Sequence, residues 1–197
     1  MDPLEIAAQL RREADAILYD RGFDAILRPH GEVSYTGSYA LDLMVWPDLD
    51  AYVILPPDTD WLGPFFEIGS GFARIPGVYR MNFRNCFVKP IRDDFPVGLY
   101  WGVRLITADR PIPWKIDVWG VDAAPVETNR LWMEKAREKL DDETRRLILE
   151  VKISLVNAEG RTPIQSGFHI CEAVLFRGLR EPDAIRAYLR ERGVEGI

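Results

Sequence analysis

The sequence is short of the residues that build disulfide frameworks and structural zinc sites. Its 197 residues include only two cysteines, Cys86 and Cys171, and two histidines. Small secreted domains are rich in disulfides, and a structural zinc ion needs four Cys or His ligands. Both classes are therefore excluded. The small number of thiols fits a reducing cytoplasm, which is where we expect the protein to act.

Long apolar runs are also missing. No stretch approaches the ~20 apolar residues that a membrane-spanning helix needs. Asp2 and Glu5 make the first residues acidic, whereas a secretory signal begins with basic ones. A hydrophobic content of 47% with 28% charged residues is ordinary for a globular protein. We therefore expect neither export nor a membrane partner.

The chain has no excess of positive charge. It carries 25 Lys and Arg against 31 Asp and Glu, a net charge of −6. Proteins that grip long nucleic acids usually present a basic face, so such a partner is not expected. One local basic cluster stands out, and it is either a solvated strand face or a patch that neutralises triphosphate: Arg74, Arg80, Arg84, Lys89 and Arg92.

The periodicity of apolar residues predicts an α+β catalytic half, residues 1–124, followed by a helical half, residues 125–197. The first half is predicted to form a mixed sheet with flanking helices. Its strands are expected at 25–28, 33–36, 48–55, 79–88, 99–107 and 114–119, and its helices at 3–21, 38–45 and 61–68. The second half is predicted to contain a long helix at 127–156, broken near residues 141 and 142, and two shorter helices at 169–177 and 182–192.

Three acidic residues on two predicted strands carry the chemical signal. Asp48 and Asp50 are two residues apart at the start of an apolar strand, so their side chains point the same way. Asp117 lies in a second apolar strand, where an unpaired charge is costly. Asp48 and Asp50 could simply be solvent-facing carboxylates after the turn at Pro47. Carboxylate oxygens are also the ligands that Mg²⁺ prefers, so a metal site is the alternative.

A Gly-Ser pair stands just upstream of these acids. Gly37 and Ser38 precede Asp48 by nine intervening residues and could open a helix whose free N–H groups attract phosphate. Gly37 would let the backbone come close to the phosphate. No Gly-Lys-Ser/Thr sequence occurs, so a P-loop protein is disfavoured.

The order Gly37-Ser38, Asp48-x-Asp50 and then Asp117 on a later strand resembles the DNA polymerase beta-like nucleotidyltransferase superfamily. The resemblance covers residues 31–120. It implies that Asp48, Asp50 and Asp117 are catalytic and hold Mg²⁺. It further implies nucleotide contacts from the Gly-Ser pair, with Lys115 and two basic-cluster residues as added candidates: Gly37, Ser38, Arg80, Arg84 and Lys115.

The compact core with a helical tail is similar to the small-molecule branch of that superfamily, which includes aminoglycoside and lincosamide nucleotidyltransferases. The resemblance implies transfer of a nucleoside monophosphate from a nucleoside triphosphate, such as ATP, to a small-molecule hydroxyl. The helical half would then supply the acceptor pocket. Nucleotidylation of a protein or an RNA end, or a non-catalytic member that binds nucleotide, are the alternatives. The sequence gives no indication of the oligomeric state.

Overall fold

The fold is built on one five-stranded mixed sheet. The computed structural model describes residues 2–56, 60–92, 95–108 and 110–197. The strands follow the order β1-β2-β5-β4-β3, in which β2 and β5 are parallel and the other neighbours antiparallel. Their bounds are Glu32–Thr36 for β1, Asp48–Ile54 for β2, Val78–Asn85 for β3, Leu99–Leu105 for β4 and Trp114–Val121 for β5.

Eight α-helices flank and follow this sheet within the described residues, and the predicted α+β class is confirmed. They are α1 (Pro3–Asp15), α2 (Phe23–Leu27), α3 (Gly37–Ala40), α4 (Leu62–Phe72), α5 (Ala123–Lys139), α6 (Asp142–Ser154), α7 (Ser166–Cys171) and α8 (Pro182–Glu191). The predicted break between α5 and α6 is present. It falls where Asp141 caps α6 by accepting a hydrogen bond from the N–H of Thr144. No helix in the described ranges is long and apolar enough to cross a bilayer.

One face of the sheet is the main hydrophobic core. In β2 the side chains of Leu49, Ala51 and Val53 are buried against α1, α2 and α4, and the alternate residues face the other way. This is the alternation predicted from the sequence, because successive side chains of a strand point to opposite faces. The polar residues of β2 are thereby left on the second face.

The second face is covered along only part of its length. Trp119 of β5 and Val126 of α5 form a smaller apolar cluster there, joined by Ile91 and Phe95 from the segment before β4. Asp48 and Asp50 lie towards the opposite end of β2, where the strand begins. The acidic residues therefore occupy the end of this face that the cluster does not cover.

The C-terminal helices form a further core that includes residues from the first half of the chain. Leu41 and Leu43, which follow α3, pack with Ile148, Leu149 and Ile170. Arg145 of α6 also donates a hydrogen bond to the carbonyl oxygen of Leu41 at 2.8 Å. The helical half thus lies directly against the segment that joins the Gly-Ser pair to β2. The division of the chain at residue 124 stays a prediction.

Several predicted elements are wrong in type or extent. Residues 25–28 are helical rather than extended, because Phe23 and Leu27 both face the core at the spacing of a helical turn. The predicted helix 38–45 is only the four-residue α3, and it gives way to a turn in which Asp42 has φ of 55°. The helix predicted at 61–68 runs on to Phe72. The helix predicted at 169–177 begins earlier, at Ser166, and α7 is followed directly by a π-helical segment, Glu172–Phe176.

Candidate functional site

The strand register brings the three predicted acids together. In the parallel pair of β2 and β5, Asp50 lies opposite Asp117, and Asp48 lies opposite Lys115. All four residues occupy the same face of the sheet, because each strand contributes positions two apart. Neither strand alone could produce this group, and the parallel pairing of β2 with β5 brings it together.

Lys115 is ion-paired with two of the acids. Its Nζ lies 2.9 Å from Oδ1 of Asp48 and 2.7 Å from Oδ2 of Asp117. Burial alone would lower the pKa of Lys115, but the neighbouring carboxylates of Asp48 and Asp117 outweigh burial and raise that pKa above its ordinary value. Lys115 therefore remains a full positive charge between the two acids.

Asp50 is the acid without a partner. Its carboxylate has no hydrogen bond or ion pair with any residue that the structure describes. Burial, and then the nearby charge of Asp48, raise the pKa of Asp50 well above its ordinary value. Burial likewise raises the pKa of Asp48, although Lys115 opposes that shift. The acids together carry more negative charge than Lys115 neutralises, so the site favours a further cation.

Tyr100 holds Asp117 from the neighbouring strand β4. Its Oη donates a hydrogen bond to Oδ1 of Asp117 at 3.0 Å. Gly102 lies directly opposite Asp117, and a Cβ there would come within 2.5 Å of Oη of Tyr100. The missing side chain at Gly102 therefore makes the room through which Tyr100 reaches Asp117. No sequence pattern indicates this role, since it depends on the antiparallel register of β4 with β5.

Gly37 and Ser38 lie on the other side of the acids, at the end of β1. Gly37 has φ of 64°, and a Cβ there would meet Oδ2 of Asp50 at 2.7 Å. Only glycine can therefore combine this left-handed backbone with so close an approach to Asp50. The predicted neighbourhood of the Gly-Ser pair and the Asp-x-Asp pair is present in the structure.

Lys152 of α6 is a site residue that the sequence prediction missed. Its Nζ donates a hydrogen bond to Oγ of Ser38 at 2.7 Å and another to the carbonyl oxygen of Leu43. The residue is only 2% exposed, and burial lowers the pKa of its ammonium group. A signal was available, because Lys152 falls on the apolar face of α6, one turn after Ile148 and Leu149.

The predicted arginines are on the acidic face of the sheet but not beside the acids. Arg80 and Arg84 belong to β3, the edge strand, which is separated from β5 by β4. At the usual strand spacing, about 10 Å separates the backbones of β3 and β5. Arg104 of β4, which lies opposite Arg80, is closer to the acids and was not singled out from the sequence.

A magnesium ion fits the chemistry of these side chains, although the described residues contain no ready-made metal cage. No group of three or more His, Cys, Asp and Glu side chains in the described ranges is arranged to hold a metal ion. The ammonium of Lys115 lies between Asp48 and Asp117 instead. Carboxylate oxygens are hard ligands that suit Mg²⁺, and the carboxylate of Asp50, which has no partner among the described residues, is free to bind the ion.

Fold and site together define an α+β protein in which a mixed sheet carries a carboxylate cluster at one end, with a buried lysine and a glycine-serine turn beside it. No family model matches the chain, and no curated protein matches it. Among solved structures, the chain is similar to the Cid1 poly(U) polymerase in its MgGTP-bound crystal structure, with 13% identity and a TM-score of 0.48. The alignment covers 76% of this chain and 46% of that one, and a likeness this weak carries no argument about function.

Proposed function

We propose that the protein is a Mg²⁺-dependent nucleotidyltransferase of the DNA polymerase beta-like superfamily. The observation that supports it is the grouping of Asp48, Asp50 and Asp117 on one sheet face, next to the Gly37-Ser38 pair. A triphosphate needs cations against its charge and donors along its oxygens, and this face offers both. The small-molecule branch remains our proposal for the acceptor.

The side chains around Ser38 suit the triphosphate. The ammonium of Lys152 donates a hydrogen bond to the hydroxyl of Ser38, so it would hold a positive charge directly behind the hydroxyl that contacts a phosphate oxygen. Asp48, Asp50 and Asp117 would hold Mg²⁺, which supplies charge neutralisation at the attacking and leaving oxygens. Lys115 would then contribute its charge to the phosphates or to the acids.

We assign Asp117 to the acceptor side of the acid cluster. The attacking hydroxyl forms a bond to the α-phosphorus, the bond to pyrophosphate breaks, and the hydroxyl proton must leave. Asp117 is the acid nearest to β4, on the side of the cluster away from Ser38, and Tyr100 fixes its orientation. We assign Asp117 to accept that proton.

The free thiols of Cys86 and Cys171 are consistent with a cytoplasmic setting, which is part of the proposal.

Release of pyrophosphate tests this function. Purified protein is incubated with each nucleoside triphosphate, Mg²⁺ and a panel of hydroxyl-bearing small molecules, and pyrophosphate is measured with and without a chelator. We expect release that needs both Mg²⁺ and an acceptor, and that Asp117→Asn lowers by about 10²–10³-fold. Release that is unchanged in Asp117→Asn would contradict the assignment.

A further inference from the structure

Three arginines occupy the acidic face of the sheet on the two strands beyond β5. Arg80 and Arg84 of β3 are exposed, and Arg104 of β4 is half-buried. The register places Arg80 directly opposite Arg104, and Arg104 directly opposite Lys115. A row of positive charges therefore runs from the acid cluster towards the edge of the sheet.

Arg80 and Arg104 are arranged at a cost to the fold. Like charges directly opposite each other on neighbouring strands are destabilising. None of Arg80, Arg84 and Arg104 forms an ion pair with a described residue, whereas Arg130 of α5, for example, is paired with both Glu127 and Glu134. The chain has more Asp and Glu than Lys and Arg, so the three arginines do not lack ion pairs because carboxylates are scarce. An anionic ligand would offset the repulsion.

The position of the arginines separates them from the triphosphate proposed above. Ser38 and Lys152 lie beside β1 and β2, while Arg80 and Arg104 lie on β3 and β4, with the acid cluster between the two groups. The backbones of β2 and β3 are about 14 Å apart at the usual strand spacing. A nucleotide whose phosphates rest near Ser38 would leave these arginines free for the other reactant.

We propose that the acceptor is a small molecule carrying a phosphate group, and that Arg80, Arg84 and Arg104 bind this phosphate while the hydroxyl lies at Asp117. This rests on the proposed function and is an alternative to the prediction that Arg80 and Arg84 contact the nucleotide. Arginine suits the role because its planar group donates two parallel hydrogen bonds to phosphate. The same charges disfavour cationic acceptors such as aminoglycosides.

A small phosphate ester fits the charges better than a nucleic acid. Arg80, Arg84 and Arg104 span only the two strands beyond β5, and the chain carries a net charge of −6, which disfavours a long polyanion. The ligand is therefore expected to bring one or two phosphate groups and a nearby hydroxyl rather than a long polyanion.

Binding of a matched pair of probes tests the proposal without requiring turnover. Ribose 5-phosphate and ribose differ by the phosphate group alone, and their binding is measured by calorimetry on wild type, Arg80→Gln, Arg104→Gln and the control Arg190→Gln on the exposed surface of α8. We expect ribose 5-phosphate to bind at least about tenfold more tightly than ribose, and each site variant to lose about tenfold while Arg190→Gln loses nothing.

Other outcomes separate the alternatives. Equal binding of the two probes, or of ribose 5-phosphate by wild type and both site variants, would overturn the proposal. Much tighter binding of a short single-stranded RNA than of the ester would also overturn it. So would a loss of Mg²⁺–nucleotide binding in Arg80→Gln, because Arg80 would then be a nucleotide contact. Selective ester binding by a wild-type protein that binds no nucleotide would support the anion site and overturn the proposed function instead.

Discussion

At the scale of single residues, the site carries an imbalance of charge. Asp50 is half-buried beside Asp48 and its carboxylate lacks a partner among the described residues, and Lys115 is already shared by Asp48 and Asp117. Such a group destabilises the fold when no further cation is bound. We therefore expect the side chains that support activity here to lower stability, a conflict that occurs at functional sites.

Replacing Asp50 with Asn tests this conflict. Because the pKa of Asp50 is raised in the folded state, its contribution to stability is greatest below its unfolded pKa and is lost as the pH rises through the folded pKa. Without metal, wild type should therefore lose stability from about pH 4 towards neutrality. Asp50→Asn should melt at a higher temperature than wild type at pH 7 and show a weaker pH dependence.

The control for this comparison is Asp183→Asn, since the side chain of Asp183 on α8 is 98% exposed and its 3.4 Å ion pair with Arg186 is at the surface, where such pairs contribute little. Its melting temperature should follow that of wild type across the pH range. Thermal melting in a chelator provides the measurement for all three proteins. If Asp50→Asn melted below wild type at neutral pH, the unpartnered carboxylate would be stabilising and the account of the charge imbalance would be wrong.

Lys152→Met separates phosphate binding from folding. The change removes a buried charge but keeps the length of the side chain, so the fold should persist. It also removes the donor next to Ser38, so affinity for a Mg²⁺–nucleotide should fall by about tenfold or more. Calorimetric titration checks the affinity, and far-UV circular dichroism checks the fold.

Lys135→Met on the exposed side of α5 is the matched control for Lys152→Met. It removes the same charge from the chain without touching the site, so its nucleotide affinity should equal that of wild type. An equal loss of affinity in both variants would mean that overall charge, and not the contact with Ser38, controls binding.

At the scale of elements, the junction of β1 and α3 brings the backbone of Gly37 against the side chain of Asp50. Gly37→Ala should destabilise the protein by about 1–2 kcal/mol, because an L-residue is strained in the left-handed region. The added methyl would also press on Asp50. Denaturant unfolding measures the first effect, and Mg²⁺-dependent pyrophosphate release measures the second.

Gly193→Ala distinguishes these two effects. Gly193 has a similar φ of 73°, but a Cβ there would meet nothing within 4 Å. Both variants should lose similar stability, and only Gly37→Ala should also lose activity. If Gly193→Ala lowered activity as much, strain alone would explain the result and the contact with Asp50 would be irrelevant.

Strands were more predictable than the short helices around them. The acidic positions of β2 could be assigned to one face because alternation in a strand is strict, and the structure confirms it. Residues 25–28 misled the prediction because a short apolar run does not distinguish a strand from a helical turn that packs through Phe23 and Leu27. Local pattern does not resolve such segments, since packing decides them.

At the scale of the whole molecule, the site depends on contacts that are distant in the sequence. Tyr100 and Lys152 reach Asp117 and Ser38 through the sheet order and through the packing of α6 against the segment after α3. No spacing in the chain encodes these partners. Asp48, Asp50 and the Gly-Ser pair, by contrast, lie within one short stretch of the chain, and for that reason the sequence reveals them.

The most direct test of the central claim is Mg²⁺-dependent binding of the four nucleoside triphosphates to wild type and Asp48→Asn, measured by calorimetry with Mg²⁺ and with a chelator. Asp183→Asn serves again as the control. We predict that wild type and Asp183→Asn bind at least one triphosphate only when Mg²⁺ is present, and that Asp48→Asn loses this dependence together with about tenfold or more in affinity. Binding that is absent in every protein, or unaffected by Mg²⁺ and by Asp48→Asn, would contradict the account.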